Sequence, residues 1–91
     1  MSKKTIEHAA SVLKEIKAEV NAGVIKDSNI SVLCNLFTGD VIGFKVVLTL
    51  STKDDYNSTI LEEWRKRLEA EDCVISVSRN QLIITFYVMY R

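Results

Sequence analysis

The chain has no proline, three glycines, one histidine and two cysteines among 91 residues, and its twelve basic side chains are matched by twelve acidic ones. Each scarcity excludes something. With no proline and glycine only at 23, 39 and 43, no stretch has the composition of a linker or a low-complexity tail. The glycines are also too dispersed to form a phosphate-cradling loop. A formal net charge of zero removes the bulk electrostatic pull toward nucleic acid or anionic membrane. One histidine and two distant cysteines cannot supply the ligands of a structural zinc site, and the carboxylates lack calcium-loop spacing, so no metal and no cofactor is expected.

No apolar run approaches the roughly 18 residues of a membrane span. The N-terminal segment is interrupted by Glu7, His8, Lys14 and Glu15, where a secretory signal needs an uninterrupted apolar centre. The expectation is a cytoplasmic protein without a membrane partner. Cys34 and Cys73, both in apolar surroundings, then read as reduced core residues, and the Asn57-Ser58-Thr59 sequon as incidental.

What is abundant is aliphatic. Apolar residues make up 47 % of the chain, and isoleucine plus valine alone occupy 19 positions, too many for intrinsic disorder. At this length the expectation is one domain spanning residues 1–91.

Ile6, Ala9, Ala10, Leu13, Ile16 and Val20 recur at helical spacing, predicting an amphipathic helix over about Thr5–Asn21. A cap at Thr5 is preferred to one at Ser2, which would set Lys3 and Lys4 against the positive end of the helix dipole. Gly23 is placed to end the helix and Lys26 to Asn29 to form a polar loop. Period-two alternation then predicts strands over Ile30–Phe37 and Val41–Ser51 with a glycine-containing turn between them. Ser51 to Asp55 offers caps for a second helix over about Asp54–Ala70, carrying Ile60, Leu61, Trp64 and Leu68 on its inner face. Glu62 before Lys66 and Glu63 before Arg67 mark its solvated side. Strands over Cys73–Ser78 and Leu82–Tyr90 close the chain.

The element order αββαββ predicts an α+β two-layer sandwich, with both helices on one face of a four-stranded sheet. It corresponds to a ferredoxin-like layout whose first strand has moved to the end, placing the second and fourth strands centrally. A meander with strands in chain order is the alternative. Such a layout hosts many unrelated functions and assigns none by itself.

Sorting the strands by parity gives one face of Ile30, Val32, Cys34, Leu36, Ile42, Phe44, Val46, Leu48, Leu50, Cys73, Ile75, Val77, Leu82, Ile84, Phe86, Val88 and Tyr90, all suited to burial beneath helices. Eight of the 17 residues on the opposite face are also apolar, where a wetted sheet face normally alternates more cleanly. The segments 30–51 and 73–91 together contain only Asp40, Lys45, Arg79 and Arg91 as charges. The candidate interface is therefore Leu33, Phe37, Val47, Ile83, Tyr87 and Met89. Covering ~400 Å² of apolar surface at about 25 cal/mol per Å² would contribute roughly 10 kcal/mol before the costs of association.

The expected function is a small non-catalytic protein-interaction module, a homodimer formed through the sheet face or an edge strand, with an adaptor or inhibitor role toward a heterologous protein as a further possibility. The edge 30–37 is singled out because neither charge nor proline guards it. Nucleic-acid binding on the same face, with Phe37 and Tyr87 stacking bases and Lys45, Arg79 and Arg91 on phosphates, is the alternative. Catalysis is not expected. His8 lacks a sequence-placed nucleophile or carboxylate, Asp54 and Asp55 suit a helix cap, and Glu69, Glu71 and Asp72 form an acidic helix exit.

Overall fold

A computed structural model describes residues 5–20, 24–50 and 58–90. Predictions concerning Ser2, Gly23, the caps at 51–55, the Asp54/Asp55 pair and Arg91 lie outside the described residues. Helix α1 spans Ile6–Glu19, strand β1 Ile25–Cys34, β2 Val41–Leu50, helix α2 Ser58–Leu68, β3 Asp72–Ser78 and β4 Gln81–Met89. The protein is α+β, with two helices and an open, wholly antiparallel four-stranded sheet.

Thr5 caps α1 as expected, its Oγ1 accepting the His8 N–H at 3.1 Å. Helix α2 ends in an αL cap. Glu69 takes φ 57°, its N–H bonds the Lys66 carbonyl at 3.1 Å, and the Ala70 N–H bonds the Arg65 carbonyl at 3.0 Å. Strand β1 begins five residues earlier than the alternation predicts, so Lys26 to Asn29 form strand, not loop. An edge strand pairs on one side only, and these polar side chains remain partly or fully exposed there, so low strand propensity is tolerated.

The sheet order is β1-β2-β4-β3. A meander would pair β2 with β3; instead β2 runs against β4, with Val46 opposite Phe86 and Leu48 opposite Ile84. The two longest apolar runs are thereby central, as predicted. One buried cluster joins Ala9, Val12, Leu13 and Ile16 of α1, Leu61, Trp64 and Leu68 of α2, and one parity set from β2 and β4: Phe44, Val46, Leu48, Leu50, Leu82, Ile84, Phe86 and Val88. Both helices thus lie on the same side of the sheet.

The helices do not cover that side to its edges. Val32, Ile42, Ile75, Val77 and Tyr90 share the helix-side parity or flank it, yet all are exposed, so the expectation of a fully buried face holds for the central strands alone. Leu36 is not a strand residue; the hairpin has already turned at Asn35. Cys34 is exposed and Cys73 only partly buried, which corrects the reading of both as core thiols.

Candidate interaction surface

The register places the side of the sheet turned away from the helices in rows across the strands. Asp27, Thr49, Ile83 and Ser76 form one row; Asn29, Val47, Thr85 and Val74 the next; Ser31, Lys45, Tyr87 and Asp72 the third; Leu33, Gly43 and Met89 the last. Five of the six predicted interface residues, Leu33, Val47, Ile83, Tyr87 and Met89, lie on this face. Each is partly exposed, and among the described residues no helix lies across them. Gly43, between Leu33 and Met89, is buried and contributes no side chain to the row.

Phe37 is elsewhere. It lies with Leu36 at the tip of the β1–β2 hairpin, the two being 98 % and 96 % exposed. The alternation that predicts β1 through residue 37 is interrupted by an irregular register at Leu33/Cys34 and by the Asn35 side chain. Asn35 Oδ1 accepts the N–H of Phe37 at 2.8 Å and of Thr38 at 3.2 Å. The Asn35 carbonyl accepts the Gly39 N–H at 2.7 Å, and the Asn35 N–H bonds the Asp40 carbonyl at 2.8 Å. Gly39, at φ 79°, supplies the left-handed residue this loop requires. The tip is a hydrogen-bonded turn presenting two large apolar side chains, a feature that period-two sorting misses because Leu36 happens to continue the pattern. The Asn35 to Gly39 spacing is the signal that could have shown it.

A second surface missed by parity sorting is β3. Val74, Ile75 and Val77 are about half exposed, on both faces of this outer strand. Beside it, a shallow cleft of about 170 Å³ is lined by Leu61, Glu62, Cys73 and Ile75. Burial, and then the charge of Asp72, raises the Cys73 thiol above its ordinary pKa, which keeps it protonated at neutral pH.

The polar groups singled out for chemistry have structural partners. His8 Nε2 lies 3.1 Å from the Arg67 carbonyl, tying the start of α1 to the end of α2. The geometry is that of an N–H donor to a carbonyl oxygen. Glu71 Oε1 accepts the Met89 N–H at 3.2 Å and Asp72 Oδ1 the Cys73 N–H at 2.8 Å. On α2, Glu62 receives Arg65 through both guanidinium nitrogens that face it, which holds its carboxyl below the usual range. Among the described residues no group of three or more His, Cys, Asp or Glu side chains could hold a metal ion, and no helix is long and apolar enough to cross a membrane.

No protein-family model, no curated protein and no solved structure matches this chain. The surface alone therefore carries the functional reading.

Proposed function

We propose that the protein is a non-catalytic interaction module that forms homodimers through its sheet, built on a circularly permuted ferredoxin-like layout. The observation that supports this reading is the uncovered face bearing Leu33, Val47, Ile83, Tyr87 and Met89, while both helices occupy the other side. Partial covering of this face would remove apolar side chains from water at about 25 cal/mol per Å², and a sheet face is readily self-complementary about a two-fold axis. The candidate interface is those five residues, with Phe37 at the hairpin tip as a neighbouring apolar contact. A cytoplasmic location suits such a module, and a heterologous protein could use the same surface.

The nucleic-acid reading has less support. Lys45 and Tyr87 are neighbours in one row, but Asp72 stands next to Tyr87 in that row, Asp27 lies on the same face, and Phe37 is off it. A single lysine on a face that also carries two carboxylates makes a poor phosphate track.

Light scattering should find wild type dimeric at micromolar concentration; a dimer built on the sheet face dissociates in Val47→Lys or Tyr87→Asp, one built on an edge strand does not, and neither substitution should change the circular dichroism spectrum. Titration with labelled single-stranded RNA tests the rival: salt-sensitive binding lost on replacing Lys45 and Tyr87 would favour it.

A further inference from the structure

The sheet has two outer strands, and they differ in how they meet a newcomer. β1 is irregular at Ile25/Asp27 and at Leu33/Cys34, and carries Lys26 and Asp27; bulges and charges of this kind deter strand addition. β3 is in unbroken register with β4 from Asp72 to Ser78, and from Cys73 to Ser78 it carries no charge and no proline. The guarding charges of β1 precede the stretch 30–37 singled out from sequence, where the deterrent is the irregularity at Leu33/Cys34.

The hydrogen-bonding phase of β3 follows from its turn. Ser78 and Gln81 flank the two-residue turn Arg79-Asn80, whose φ angles are 49° and 66°. Residues flanking such a turn exchange both backbone bonds. Antiparallel alternation then directs Asp72, Val74, Ser76 and Ser78 inward to β4, and turns the N–H and C=O of Cys73, Ile75 and Val77 to the free edge. The Cys73 N–H, directed away from β4 as this phase requires, donates to Asp72 Oδ1 at 2.8 Å, a bond that strand pairing would replace.

We propose that β3 pairs antiparallel with β3 of a second copy, with Ile75 on the two-fold axis, to make one continuous eight-stranded sheet. In this register Cys73 faces Val77, Val74 faces Ser76 and Asp72 faces Ser78 across the axis. Each outward-directed residue meets an outward-directed residue, and apolar helix-side chains meet their like. Charge complementarity selects a second copy as the occupant. In this register Glu71 comes opposite the partner's Arg79, and along the two strands no like charges are opposed. The same pairing covers Ile75 and Val77, exposed by 49 % and 58 % on the helix side of the outer strand, where Ile75 borders the cleft it shares with Leu61 and Glu62 of α2. This inference rests on the reading of the chain as a self-associating module and adds the strand, its direction and its register.

Ile75→Lys sets two lysines against each other on the axis, and should convert the dimer to monomer at micromolar concentration with an unchanged circular dichroism spectrum. A second variant, Cys34→Ser/Val77→Cys, reads the register directly. Paired residues in such a bond-exchanging position have Cα atoms about 5.5 Å apart, within disulfide reach. Mild oxidation at pH 8.5 should yield a covalent dimer linked through Cys73 by peptide mapping, whereas Cys34→Ser/Ser76→Cys, with its thiol on the other face, should not. A wild-type dimer that persists in Ile75→Lys and forms no such link, yet dissociates in Val47→Lys, overturns the strand assignment and leaves the module reading standing. A monomeric wild type overturns both.

Discussion

At Gly43 the backbone of β4 approaches so closely that a Cβ there would lie 2.3 Å from the Val88 carbonyl oxygen and 2.9 Å from Met89 Cα. Backbone in a central strand cannot move aside cheaply, so Gly43→Ala should cost about 3 kcal/mol, the upper end of ordinary overpacking, read as a lowered urea midpoint. Glu69 is the opposite case: a residue with a Cβ held at φ 57° beside the negative end of a helix dipole. Glu69→Gly should raise stability by about 1 kcal/mol in the same assay. Neither position was legible in sequence as a constraint. Gly43 sits inside a clean alternating run, and nothing local says that a neighbouring strand comes near. What parity did show is the inner face of β2 and β4, where every residue from Phe44 to Leu50 and from Leu82 to Val88 with the predicted parity is buried. Central strands are packed on both edges, so alternation translates directly into burial. At residues 35–37 the side-chain hydrogen bonds of Asn35 compete with the strand and win.

Between elements, packing outweighs the ionic contacts. Arg67 of α2 reaches Glu15 at 2.8 Å and Glu19 at 3.0 Å on α1, with Glu63 at 3.9 Å on its own helix. The glutamates are more than half exposed, so Arg67→Ala should cost less than about 1 kcal/mol, and less again in high salt. Trp64, one turn earlier and buried in the shared cluster, should cost about 3–5 kcal/mol on truncation to alanine. Chemical denaturation of the two variants at low and high salt checks both figures and their order. The sequence predicted the Glu63–Arg67 pair but not the ties to α1, because charges distant in sequence meet only through helix packing. Its Glu62–Lys66 pair is displaced by Arg65, which also donates to the Ala70 carbonyl at 2.8 Å. The start of β1 was missed for a related reason: Lys26 and Asp27 resemble loop residues until one sees that the strand lies at an edge.

At the scale of the molecule, two helices among the described residues cover the centre of one sheet face and leave three apolar surfaces outside: the opposite face, the hairpin tip at Leu36 and Phe37, and the outer strand β3. The first was visible in parity and low charge. The other two depend on where a turn closes and which strand ends outermost, which are properties of tertiary arrangement. Their presence on a chain with zero net charge favours association, since little long-range repulsion opposes it. Light scattering coupled to size exclusion, run from low to high micromolar concentration, measures this most directly. The account predicts a mass of twice 10.3 kDa; a mass of 10.3 kDa at every concentration would contradict it.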